Sequence, residues 1–343
     1  MTISNEYILT LQNLKGFGPK KIEQVADYIF SSHSSSLDLN GLYDVLVYLH
    51  RNGFIKGLLS FPEFFELERA HLHAQQIVFR SKELGIKMVS RYDGTFPRNL
   101  LNTVNEKGNL DIPMLLFYKG DLCITKRPAI AIIGTRDPSS EGVKAGEVFG
   151  NFFASHGLNI VSGLALGCDS SGHRGAMSAP NGVTTAFLAH GLDTIYPSEN
   201  QSLAEEIIAS GGLLMTEYAV GERVNRNYLI KRDRLQAALG DATLVIQSGI
   251  KGGTMHAVNA SLAAGKEVYA VEYKVSVPGQ KDEGNKWLIK KGDAFPLRTD
   301  NMESVLSHIQ NKHTTGQSFS GFANGDEIRT HNLDYSQCSL FKD

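Results

Sequence analysis

The chain is short of several things, and each shortage excludes a class of protein. It has only three cysteines in 343 residues, Cys123, Cys168 and Cys338, with no C-x-x-C pair among them. That spacing indicates neither a disulfide framework nor a zinc site, and it fits a reducing compartment. No apolar run approaches the roughly 20 residues of a membrane-spanning helix, so no membrane partner is expected. The opening "MTISNEYILT" lacks the basic and apolar regions of a secretory signal, and a cytoplasmic location is the expectation. An excess of one charge is also missing, since 34 Lys and Arg against 36 Asp and Glu leave a formal net charge of −2. Affinity for a polyanion must then come from a local patch and oriented backbone dipoles rather than a basic surface.

What is present divides into three segments. A hydrophobic content of 42% and a charged content of 20% suit a globular protein, and the length suits one large domain and one small one. Residues 1–75 read as a helical domain. Within it, "LQNLKGFGPKKIEQVADYIF" carries a helix end at Leu14, a Gly16-Phe17-Gly18-Pro19 turn and a second helix with Ile22, Val25, Ala26 and Ile29 inward. Such a helix-hairpin-helix-like turn can present amides and Lys20 or Lys21 to a DNA phosphate. A plain tight connection between helices explains it equally well. From about residue 80 to 310, short apolar strands alternate with helices, at 129–133, 159–162, 184–189, 213–218, 242–248 and 267–273. This pattern implies an α/β fold with a doubly wound, mostly parallel sheet. Residues 311–343 are polar and rich in Ser, Gly, Asn and Thr, and read as a flexible tail.

In an open parallel sheet, ligands bind at the carboxyl ends of the strands. The unusual residues of this chain gather there: Gly134-Thr135-Arg136, Ser162-Gly163-Leu164-Ala165, His190-Gly191-Leu192-Asp193, Thr216-Glu217-Tyr218 and Ser248-Gly249. Small residues let backbone amides approach an anion, and the following helix N-termini favour negative charge. The G-x-G-x-x-G spacing and the Walker loop are both missing, which sets aside hydride transfer and ATP hydrolysis. No cofactor is expected.

The blocks "AIIGTRDPSSEG", "IVSGLALGCDSSGHRGAM", "GLDTIYPSENQSLAEEI", "GGLLMTEY" and "GNKWLIKKGDAFPL" resemble, in order, the motifs of the DprA/Smf family of DNA-processing proteins. The resemblance implies a Rossmann-like domain that binds and protects single-stranded DNA without strong sequence preference. It also implies help in loading the RecA recombinase, homodimer formation and no enzymatic activity. On this reading Arg136, Ser162, Gly163 and Ala165 contact phosphates, and a basic cluster of Arg226, Lys231, Arg232 and Arg234 lies beside them. Tyr228 either stacks on a base or belongs to the core. A structural role is preferred for His173, a helix cap for Asp169, and capping or loop bracing for Asp193 and Glu217. Two positions depart from the family pattern: Leu166 stands where Arg is common, and Asp233 interrupts an Arg-Asn-Arg triplet.

An alternative is a LOG-like nucleotide sensor or nucleoside-monophosphate phosphoribohydrolase, since "KGGTMHAV" resembles that group's P-G-G-x-G-T-x-E motif. His256 stands there in place of the catalytic Glu. Finally, "QCSLF" resembles the peptide with which bacterial proteins dock on the DNA polymerase sliding clamp, with Gln337 as polar anchor and Leu340 and Phe341 as apolar plugs.

Overall fold

The structure, a computed structural model, describes residues 3–31, 37–274, 279 and 281–315. The clamp-type peptide Gln337–Phe341 and the rest of the tail beyond 315 lie outside the described residues. Two compact units are present. One comprises the residues up to Phe96 with Pro113–Phe117, the other Pro97–Ile112 with the described residues from Tyr118 onward.

The first unit contains α1 (Asn5–Gln12), α2 (Pro19–Ser31), α3 (Leu39–Arg51), α4 (Phe64–Glu83) and β1 (Lys87–Ser90). Ser4 caps α1 by accepting from the Tyr7 amide. Pro19 opens α2, where its fixed φ is pre-set for a helix. Gly16 turns the chain between them with φ of +84°, a left-handed conformation that favours glycine. Ile22, Val25, Ala26 and Ile29 are buried on the inner face of α2, as the spacing predicts. Lys20 is exposed, whereas Lys21 donates to the Gly16 carbonyl at 2.9 Å. The strand β2 (Leu115–Gly120) neighbours β1, and its residues are divided between the two units.

The second unit alternates strand and helix: β3 (Ala129–Ile133), α5 (Ser140–Ser155), β4 (Asn159–Ser162), α6 (Cys168–Ser178), β5 (Val183–Phe187), α7 (Gln201–Ala209) and β6 (Leu213–Thr216). It continues through α8 (Arg226–Leu239), β7 (Ala242–Val245), α9 (Thr254–Ala263), β8 (Glu267–Val271), α10 (Glu283–Lys291), β9 (Phe295–Leu297) and α11 (Met302–Thr315). The strand order is β6-β5-β4-β3-β7-β8-β9, and every neighbouring pair is parallel. The expected doubly wound sheet is therefore present. Its central strands are apolar on both faces because helices cover both. Ile130, Ile132, Leu244 and Ile246 meet Phe149 and Phe153 of α5 and Ile309 of α11. Ile133, Val245, Val268 and Ala270 meet Val258 of α9 and Leu288 of α10. The chain winds outward from β3 in one direction and then returns to place β7 on its other side. The switch point, where a crevice opens at the strand ends, lies between β3 and β7.

A charged side chain closes the far end of α8. The Lys266 ammonium donates to the carbonyls of Ala237, Ala238 and Gly240 at 3.0, 2.5 and 2.6 Å. Burial still pulls its pKa down, to about 8, with Asp241 opposing the shift. These carbonyls have no partner inside their own helix, so the lysine serves as their cap. Lys266→Met is expected to cost about 2 kcal/mol, a loss of several degrees in melting temperature, measured by thermal denaturation.

Candidate functional site

The loop after β3 is held from two sides. Thr135 N–H donates to the Gln247 carbonyl beyond β7 at 2.7 Å, and Cys168 N–H donates to the Thr135 carbonyl at 3.1 Å. A side chain at Gly134 would meet the Cys168 Sγ at 2.5 Å. One at Gly167, whose φ is +81°, would meet the Thr135 carbonyl oxygen at the same distance. These close approaches make the Arg136 loop rigid at the switch point. Arg136 itself is exposed and makes no ion pair among the described residues. Directly after it, Ser139 caps α5 by accepting from Gly142 N–H at 3.2 Å, so a helix N-terminus begins beside the guanidinium. Leu166 is exposed on the neighbouring loop.

The loop after β4 differs from expectation. Ser162 is buried, and its hydroxyl donates to the Ile132 carbonyl at 2.6 Å. The amides of Gly163 and Ala165 donate to Asp169 Oδ2 at 3.1 and 3.3 Å. The nest of amides read as a phosphate seat already holds an anion, supplied by the chain itself. Burial pushes the Asp169 carboxyl up, while Arg232 and the two amides act in the opposite sense.

The basic cluster of α8 divides into two inward and two outward residues. Arg232 is 4% exposed; its Nη1 donates to the carbonyls of Gly163 at 2.5 Å and Phe187 at 2.6 Å, and its Nε pairs with Asp233 at 3.1 Å. A Cβ on Gly163 would lie 1.9 Å from that Nη1, which is why the position is glycine. Arg234 forms a two-pronged pair with Glu217 at 2.7 and 2.8 Å and a further pair with Asp111 at 2.7 Å. Burial raises the Glu217 carboxyl, but Arg234 outweighs it and the net shift is downward. Arg232 and Arg234 thus brace the strand ends, and the phosphate contact expected of them meets groups already spent. The helical spacing of Arg232 with the buried Leu235 and Leu239 is the sequence signal for this inward direction. Arg226 and Lys231 are exposed, with Lys231 Nζ 3.9 Å from Glu217.

Other candidates are occupied internally as well. The Tyr228 ring stacks on Tyr218 with centroids 3.8 Å apart, and its hydroxyl donates to Glu222 at 2.8 Å. Asp193 accepts from Gly221 N–H at 2.9 Å. The Thr184 hydroxyl donates to the Ile160 carbonyl, so it must accept from His173 Nδ1, 2.6 Å away. That fixes the neutral tautomer of His173, and burial with nearby Arg232 lowers its pKa to about 3. His256 Nδ1 pairs with Glu106 at 2.6 Å on the wall of a cavity of about 200 Å³ that Lys231 and Asn105 also line.

A family model described as DNA recombination-mediator protein A matches residues 87–310. The chain belongs to the DNA recombination-mediator protein A family. It is 31% identical to Protein Smf of Escherichia coli (strain K12) over 215 residues, 63% of this chain and 54% of that one. It is 28% identical over 276 residues to DNA processing protein DprA of Streptococcus pneumoniae, 79% of this chain and 88% of that one. The chain therefore spans about half the length of the Escherichia coli relative and most of the pneumococcal one. Its structure resembles that of DNA processing protein A (DprA) from Streptococcus pneumoniae, with a TM-score of 0.69 and 26% identity over 89% of this chain and 98% of that one. A likeness of fold alone links it to DNA processing protein A from Helicobacter pylori, known in a single-stranded DNA binding mode. That match has a TM-score of 0.56 and 24% identity and covers 66% of this chain and 96% of the other.

The buried carboxyl of Asp233 has a titration consequence. Burial raises its carboxyl to about 6, against the opposing influence of Arg232. Between the ordinary Asp value near 4 and about 6, the folded state holds a proton that the unfolded state has lost, so stability falls as pH rises. The stability of the wild type minus that of Asp233→Asn is expected to drop by up to about 3 kcal/mol between pH 4 and pH 6 and to level off above. Thermal melts of both proteins across pH 4–7 read this difference.

Proposed function

We propose that this chain binds single-stranded DNA along the carboxyl edge of its sheet, without strong sequence preference. The observation that carries the reading is the sorting of its positive charge. Arg232 and Arg234 are neutralised inside the fold, whereas Arg136 in the loop after β3 and Arg226 and Lys231 in the first turns of α8 face solvent. An unpaired guanidinium next to a helix N-terminus suits a phosphate, through charge-assisted bonds and the helix dipole together. Gly163, Ala165 and Ser162 then act at one remove, shaping the loop that supports Arg136. Lys20, exposed on the helical unit, is a separate candidate for phosphate contact within that unit.

The wider reading follows the family. The chain protects the bound strand and assists loading of the RecA recombinase as a binding protein rather than an enzyme, in the cytoplasm and as a homodimer. The tail peptide of Gln337, Leu340 and Phe341 tethers it to the sliding clamp. A second reading rests on the His256–Glu106 pair in its cavity: a LOG-like site that holds a nucleoside monophosphate. Release of free base from such a nucleotide, lost in a His256 variant, would favour that reading over the first.

Fluorescence anisotropy with a labelled unpaired oligonucleotide tests the main proposal. Arg136→Ala is expected to weaken binding about tenfold, in line with one charge-assisted contact. Lys231→Ala is expected to lower the slope of log affinity against log salt by about 0.7, the value for one phosphate on a single strand. Equal affinity and equal slope in all three proteins would show that the contacts lie elsewhere.

A further inference from the structure

The helix α4 buries Leu67, Ala70, Ala74, Ile77 and Ser81, which form its inner face. Charged and polar residues belong on the opposite face of such a helix. Three large apolar side chains run down its centre instead: Phe65 is 61% exposed, Leu72 56% and Phe79 64%. They recur every seventh residue, so successive members lie about 10 Å apart along the axis and drift by only about 20° around it. The neighbouring Phe64 meets Tyr43 edge-on with centroids 5.3 Å apart, and Phe65 takes no part in that packing. Scattered apolar residues are ordinary on a surface, but an aligned row of them marks a place of contact.

Two features select the occupant. The row Phe65, Leu72, Phe79 reads the same in both directions about its centre. A second α4 laid antiparallel therefore sets Phe65 of each copy against Phe79 of the other, and Leu72 against itself. That is the self-complementarity a two-fold interface requires. The charges agree with this direction. Glu63, Glu66 and Glu68 stand at the start of the helix with Arg69 opposing them, and Arg80 and Lys82 stand in its last turn with Glu83 opposing them. Antiparallel pairing lays the acidic end of one copy over the basic end of the other, whereas parallel pairing sets like ends together. The three acids beside Phe65 also disfavour an anionic lipid surface, which calls for basic flanks.

We propose that α4 is a homotypic docking surface, on which a second copy of this chain lies antiparallel with the two-fold axis at Leu72. One stripe on one helix falls short of the roughly 1,200 Å² at the lower end of standard interfaces, so the association is weak and reversible. It uses the helical unit alone and does not depend on strand binding or on any other surface through which the chain pairs.

Sedimentation velocity on the full chain over a wide range of concentration tests the contact. The average mass is expected to rise toward twice its starting value as concentration increases. Leu72→Glu sets two carboxylates together on the axis and is expected to weaken the association about tenfold or more, as is Leu72→Lys with two ammonium groups. An equimolar mixture of the two variants recovers it, because each Glu then meets a Lys, and the recovery shows that both proteins are folded. The direction of pairing is read from two double variants. Phe65→Glu/Phe79→Lys associates more tightly with itself than Phe65→Glu/Phe79→Glu, since an antiparallel pair sets each new Glu against a new Lys. A mass that stays constant with concentration overturns the proposal, as does an association unchanged in Leu72→Glu or a mixture that fails to recover. Equal behaviour of the two double variants overturns the antiparallel arrangement.

Discussion

The guanidinium of Arg232 sits where the loop after β4, the end of β5 and the middle of α8 converge. Burying a charge costs several kcal/mol unless it is paired and fully hydrogen-bonded. Arg232 meets that condition with two main-chain carbonyls and the neighbouring Asp233, and Asp169 adds an opposing charge close by. Much of the local sequence follows from this one group. Position 163 must lack a side chain, Asp169 must be acidic to close the loop, and His173, kept neutral chiefly by its burial, is held so further by the nearby positive charge.

The same constraint explains why the Arg136 loop is rigid without any direct tie to Arg232. Asp169 lies in the first turn of α6, immediately after Cys168, whose amide holds the Thr135 carbonyl. Gly167 lets the two loops approach within the space a methyl group would fill. Support therefore passes from the buried guanidinium through Asp169 and the start of α6 to the exposed one. Internal ionic contacts carry the geometry, and solvent-facing side chains remain available for a ligand.

Much of the sheet was legible in advance because its strands are short, apolar and separated by helical stretches. The strand β9 was not, since three residues with a proline among them carry little periodic signal. The direction of the α8 arginines was harder. The shared helical face with Leu235 and Leu239 signals only that Arg232 turns inward, and nothing local reveals that the partners of Arg232 and Arg234 lie at Gly163, Phe187, Asp111 and Glu217. The amides after β4 raised the opposite problem. Their number suggested an anion seat, and the anion turned out to be a side chain four to six residues away.

The inward turn of two arginines also bears on how quickly a polyanion finds this surface. Long-range steering needs a broad potential of one sign, and this chain carries a net charge of −2 with much of the positive charge of α8 cancelled at close range. On the single-stranded DNA reading, encounter is then governed by ordinary diffusion and the size of the target rather than by attraction from a distance. Contacts made only after arrival set the lifetime of a complex, so ionic strength acts mainly on escape.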